Sequence, residues 1–241
     1  MNKQNFLPFL LPVRCLIFFL IFVLCAFFSK QELKSVAFLW SIAATVVNFL
    51  TIIIIVFAAK KIGISYFKLI NYEKGKTTFF HLILMLVLII FVGMAGMYLA
   101  GWMCYGIIPY SAPELIAPVP KVFAILNVIL LPVSTALAED GLYLGCGVNQ
   151  IENKVAAVLI PSFFHAVQHS FIPFLFDFKW ILYRFLCFLP LTVFLSIYFY
   201  QKRNPVPVMI GHAILDFATA VMILMTSLRP DFYQILCSMQ Q

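Results

Sequence analysis

Residues 79–104 read FFHLILMLVLIIFVGMAGMYLAGWMC, a run without a single Asp, Glu, Lys or Arg. A helix needs about 20 apolar residues to cross a hydrocarbon core of roughly 30 Å, so this run is expected to span a bilayer. Working outward from it, six further stretches qualify: 6–28, 35–59, 121–147, 154–176, 180–200 and 206–228. The expected fold is therefore all-α, a polytopic membrane helix bundle of about seven transmembrane helices. Composition points the same way. The chain is 64% hydrophobic and 10% charged, with a mean hydropathy of +1.05, against roughly 25% charged residues in soluble domains. The first run lacks a small-x-small cleavage site before Ser29, and Phe22-Val23-Leu24-Cys25 is a poor lipoprotein box, so it reads as an uncleaved span. Arg14 within it is read as snorkelling to the surface. So is Arg184, near the outer end of the sixth span.

The net charge of +7 sits in short gaps between apolar runs, which makes it an orientation signal rather than a nucleic-acid surface. No nucleic-acid partner is expected. The gap 60–78 holds Lys60, Lys61, Lys68, Lys74 and Lys76 against Glu73 and is assigned to the cytoplasm. Alternation then puts the N-terminus with Lys3 and the gap 201–204 inside. Gap 105–120, Asp177 and the C-terminus fall outside. Segment 62–72 reads equally as a helix lying flat on the inner surface and as a plain loop. The six cysteines lie far apart with no C-x-x-C spacing and read as packing residues.

Ionisable groups inside a span are costly and are functional suspects by default. Glu139 and Asp140 fall in the fourth span, His165 and His169 in the fifth, His212 and Asp216 in the seventh. The two pairs spaced by four each share a helix face. At 1.5 Å per residue, Glu139 lies roughly 12 Å from the inner end of its span, and the others roughly 9 to 22 Å in. The depths overlap, which suits one convergent site, with an opening toward the cytoplasm as the expectation. One such residue alone reads as interhelical glue. Six on three spans read as a site, either hydrolytic or a proton or ion pathway.

The three segments resemble the CAAX protease and bacteriocin-processing (Abi) family of intramembrane proteases, over roughly residues 121–228. The family motif E-E-x-x-x-R appears as Glu139-Asp140-Gly141-Leu142-Tyr143-Leu144, F-x-x-x-H as His165-Ala166-Val167-Gln168-His169, and H-x-x-x-N/D as His212-Ala213-Ile214-Leu215-Asp216. The second acid is an Asp, the motif phenylalanine is His165, and the motif arginine is Leu144. The resemblance implies a family-like protease core at 121–228, preceded by motif-free spans at 1–120 and followed by a short tail at 229–241. It implies an intramembrane endopeptidase with Glu139, Asp140, His169, His212 and Asp216 as site residues.

On the chemistry of these groups, Glu139 is the general base for water. His169 orients that water, and His212 with Asp216 polarises the scissile carbonyl. His165, His169 and His212 are candidate ligands if the reaction uses Zn²⁺, although no H-E-x-x-H occurs. The implied partners are a peptide or membrane-protein substrate and the lipid bilayer. The implied location is the bacterial plasma membrane with a cytoplasmic N-terminus. Two other readings stay open: a catalytically silent scaffold or bacteriocin-immunity protein of the same fold, which the missing arginine favours, and a proton-coupled transporter.

Overall fold

The computed structural model describes residues 6–110 and 112–238, and among them every regular element is helical. Lys3 and Gln241, used for the topology, lie outside the described residues. Six helices are long and apolar enough to cross a membrane: Leu7–Ser29, Trp40–Lys61, Phe79–Tyr105, Lys121–Val148, Phe178–Lys202 and Val206–Leu228. The protein is an integral membrane helix bundle. A turn of 3-10 helix at Leu7–Phe9 leads into α1 (Leu10–Ser29). A short α2 (Leu33–Ala37) precedes α3 (Trp40–Lys61), so the second span starts later than expected. One turn, α4 (Tyr66–Leu69), leads to α5 (Phe79–Tyr105). Helix α6 (Lys121–Thr135) runs directly into a π-helix, Ala136–Val148. Then come α7 (Lys154–His169), α8 (Phe178–Lys202), α9 (Val206–Leu228) and, where a plain tail was expected, α10 (Pro230–Ser238).

The fifth expected span, 154–176, is corrected. Helix α7 has 16 residues and ends at His169, about 24 Å of rise. Residues 170–177 follow without regular helix and lead into α8. Pro173 has no N–H to donate and disfavours helical backbone at the residue before it. Non-helical backbone survives at membrane depth only where protein buries it and satisfies its carbonyls. Arg184 Nε and Nη2 donate to the carbonyls of His169 (3.3 Å) and Ile172 (2.9 Å), and Trp180 Nε1 donates to that of Pro173 (3.1 Å). Ile172 and Phe174 are buried. Arg184 therefore does not snorkel. It is buried and holds this non-helical stretch in place.

The bundle has a basic end. Lys60, Lys61, Lys68, Lys74, Lys76, Lys154, Lys202 and Arg203 gather there against Glu73 and Glu152. Its loops are tied together: Arg203 donates to Asn149, Asn149 to the Leu69 carbonyl (2.7 Å) and Lys76 to the Arg203 carbonyl (3.2 Å). Segment 62–72 carries one helical turn, Tyr66–Leu69. Ser65 caps its single turn by accepting from the Lys68 N–H (3.2 Å), and Leu69 and Ile70 are buried beneath the π-helix.

Close backbone approaches fix α5 against its neighbours. A Cβ at Gly96 would stand 2.5 Å from the Cys187 carbonyl oxygen of α8, and one at Gly211 of α9 would stand 2.4 Å from Ile89 Cδ1. Small residues at such contacts let membrane helices pack without a hydrophobic drive between them.

Candidate active site

The site is built on the π-helix. Bonding i→i+5 is rare, and where it occurs it often marks a functional site. It rearranges which carbonyls and side chains face which neighbour. Tyr66, from the loop at the basic end, donates its O–H to the carbonyl of Leu137 (2.7 Å), and burial pushes its phenol up.

Glu139 and Asp140 sit in the first turn of the π-helix and are 3% and 1% exposed. Around Glu139 Oε2 stand three imidazole nitrogens: His165 Nε2 at 3.1 Å, His169 Nε2 at 3.6 Å and His212 Nε2 at 3.9 Å. His212 Nδ1 donates to Asp140 Oδ1 (3.3 Å), which aims its Nε2 at Glu139, and Asp216 Oδ2 lies 4.0 Å from that same Nε2. The six ionisable residues expected from the three segments therefore come together. The rings are held by stacking. His165 lies parallel to Tyr143, with centroids 4.3 Å apart, and His169 lies parallel to Phe188, at 3.6 Å.

Glu139, His165, His169, His212 and Asp216 line a cavity of about 430 Å³, whereas Asp140 stands off its wall, behind His212. The rest of the lining is mostly apolar, with Arg184, Tyr183, Thr135, Thr192 and Thr219 as its other polar members. Ile90, Gly93, Met94 and Met97 from one face of α5 oppose Leu215, Ala218, Thr219 and Met222 from one face of α9. It reaches Ala112, Leu115 and Ile116 at the end of the bundle away from the basic one. The basic, cytoplasm-assigned end lies on the other side of the site. There Tyr66, Leu69 and Ile70 press on Gly141 and Gly145 of the π-helix.

Sequence reasoning missed the shell behind Glu139. Arg14 is 2% exposed, not snorkelling. Its Nη2 pairs with Glu139 Oε1 at 3.0 Å and donates to Asn48 Oδ1 at 2.6 Å. Its Nη1 donates to Thr51 Oγ1 (2.5 Å) and its Nε to Gln168 Oε1 (2.7 Å). Tyr143 O–H donates to the same Gln168 oxygen (2.8 Å). One signal was present in the sequence: Ser41, Thr45, Asn48 and Thr51, spaced by four, three and three, form a polar stripe along a largely apolar span.

The donor set also fits a metal ion. Ligand atoms of Glu139, His165 and His169 lie within 4.8 Å of one another and all three residues are buried. Among the described residues His169 Nε2 has no hydrogen-bond partner. Three N/O ligands beside an open cavity have the form of a catalytic zinc site.

Residues 121–218 match the sequence model of a family described as Rce1-like, type II CAAX prenyl endopeptidase Rce1-like. No curated protein and no solved structure matches the chain. Helices α1 to α5 lie outside the matched residues, while all six ionisable residues of the cavity region lie inside them. Residues 121–218, which carry all three motifs, are thus similar to the Rce1-like CAAX prenyl endopeptidase family.

Proposed function

We propose that this protein is an intramembrane endopeptidase that hydrolyses a peptide bond with water activated by Glu139. The observation that carries the reading is the placement of one Glu139 oxygen before three histidine nitrogens on the wall of a mostly apolar cavity. Glu139 Oε2 takes the proton from water as it attacks, and that proton passes to the leaving nitrogen. His169, free at Nε2, orients the water. His212, held at Nδ1 by Asp140 and flanked by Asp216, presents Nε2 to the oxygen that gains negative charge. Asp140 acts through His212 and touches no substrate.

If the enzyme uses zinc, Glu139, His165 and His169 would hold it, with His212 alongside. The ion would supply a more acidic bound water and a Lewis acid for the carbonyl. In either case the protein's own residues orient the water and exclude bulk solvent.

The family match supports a peptide substrate, and the lining supports one with an apolar or lipid-bearing segment, since apolar walls with a few convergent polar groups are the usual form of a binding site. The gathering of Lys and Arg at one end supports a cytoplasmic basic end, which sets the N-terminus inside and fits a bacterial plasma membrane. The silent-scaffold reading rested on Leu144 in place of the motif arginine. Arg14 gives Glu139 a cation from elsewhere, which removes that support. The transporter reading lacks the internal repeat and paired broken helices that usually mark that class.

The deciding experiment is hydrolysis of quenched fluorescent peptides, prenylated and plain, by the purified protein with and without Glu139→Ala. Turnover by the parent that falls about 10² to 10⁴-fold in the variant supports the peptidase. No turnover from either, with both folded, sinks it.

A further inference from the structure

We infer that Arg14, on a helix outside the family-matched segment, is the positioning residue for Glu139 and does in this chain what the absent motif arginine at position 144 does not. The inference rests on the peptidase reading for its catalytic half. Its structural half stands alone.

The motif position cannot supply the cation. Leu144 is buried among Met85, Ile89, Leu191, Leu195 and Val208, on the side of the π-helix facing α5, α8 and α9. Arg14 comes from α1 and reaches Glu139 from behind, since Glu139 lines the cavity and Arg14 does not. The guanidinium spends one N–H on Glu139 Oε1 and others on Asn48, Thr51 and Gln168. A buried charge without a partner is costly, and a guanidinium fork with this many fixed acceptors has little freedom. The ion pair occupies Oε1 and fixes the carboxylate plane, leaving Oε2 to face His165, His169 and His212. Gln168 widens the grip. Its Oε1 accepts from Arg14 and from Tyr143, whose ring stacks on His165. One arginine thereby fixes the base and, through Gln168 and Tyr143, the histidine beside it.

The test combines kinetics with stability on the full-length protein in detergent. Arg14→Met should lower kcat roughly 10–100-fold, the usual cost of losing a partner that orients an active-site group, with KM little changed. Arg14→Lys, which keeps the charge but not the fork, should recover part of it. Unfolding temperatures give a second reading that needs no activity. Arg14→Met should lower the temperature strongly because it strands Glu139, and Arg14→Met combined with Glu139→Gln should restore much of the loss. If the parent hydrolyses peptide and Arg14→Met keeps full kcat, the inference is overturned. It is also overturned if the two substitutions lower the unfolding temperature additively. If the parent hydrolyses nothing, the peptidase reading and the catalytic half fall together, and the stability cycle alone decides whether Arg14 holds Glu139.

Discussion

Asp140 and His212 are joined at 3.3 Å through Nδ1, on the far side of the imidazole from Glu139, which lies 3.9 Å from Nε2. Two neighbouring carboxylates thus meet one histidine at opposite nitrogens, and only Glu139 reaches the cavity. Their roles should therefore be unequal. Asp140→Asn still offers an acceptor to Nδ1 and should cost about 10–100-fold in kcat, as loss of an orienting partner does. Glu139→Gln removes the base and should cost about 10² to 10⁴-fold. Steady-state kinetics of the two variants check the order. The reverse ranking would mean that Asp140 is the base.

Restoring the family arginine should do harm. Leu144→Arg would place a guanidinium among the buried side chains of Met85, Leu191, Leu195 and Val208. These apolar neighbours offer a guanidinium no partner, so the charge would carry a desolvation cost of several kcal/mol. We expect a markedly lower unfolding temperature in detergent and no gain in activity. A stable variant with raised turnover would show that position 144 can reach Glu139 after all.

Arg184 should matter for stability more than its position near a helix start suggests. Arg184→Leu leaves the Ile172 carbonyl without its donor and the His169 carbonyl with only the Ile172 N–H. Each unsatisfied buried group costs about 1–3 kcal/mol. The irregular stretch 170–177 should then loosen, which can be read as faster proteolysis or hydrogen exchange there. Unchanged protection there would mean that Trp180 alone holds it.

The spans and the three motifs were legible for one physical reason. Lipid tolerates neither unpaired backbone nor unpaired charge, so apolar runs near 20 residues and ionisable pairs within them stand out. The illegible parts depend on partners far away in the chain. Arg14 looks like any charge near a helix end until the bundle brings Glu139, 125 positions later, against it. Arg184 was misread for the same cause, its acceptors being carbonyls that exist only because α7 stops. That stop did have a local signal in Pro173, which hydropathy averaged over 154–176 conceals. The direction of the cavity could not be read from depths along each helix. It depends on α5 and α9 touching at Ile89 and Gly211 while leaving a cleft beyond, a fact of packing rather than of sequence pattern.

Topology follows from the charge asymmetry between the two ends. The basic end should face the cytoplasm, with seven crossings in which α7 and residues 170–177 together make the fifth. An alkaline-phosphatase reporter fused after Gln241 should be active, and one fused after Lys76 silent. Silence in both places would mean that the broken fifth crossing does not traverse.

The cleft between α5 and α9 predicts how substrate arrives. Met94 on α5 and Ala218 on α9 belong to the two lining stripes, and both are exposed. At the basic end Tyr66, Leu69 and Ile70 pack on glycines of the π-helix, so the lateral gap is the expected way in. A substrate with an apolar segment would enter from the lipid at that gap, its polar bond reaching Glu139 last. Ala218→Trp should narrow the gap without touching Glu139 or the histidines. It should therefore raise KM several-fold or more while leaving kcat within about a factor of three, the pattern for loss of binding that is equal in ground and transition states. Tyr66→Phe, at the basic end, removes a hydrogen bond to Leu137 but opens no path, so KM should stay unchanged. Measuring both variants with one lipidated and one plain peptide separates the routes. If Ala218→Trp is silent and a smaller residue at Leu69 lowers KM, substrate enters from the basic end and the lateral route is wrong.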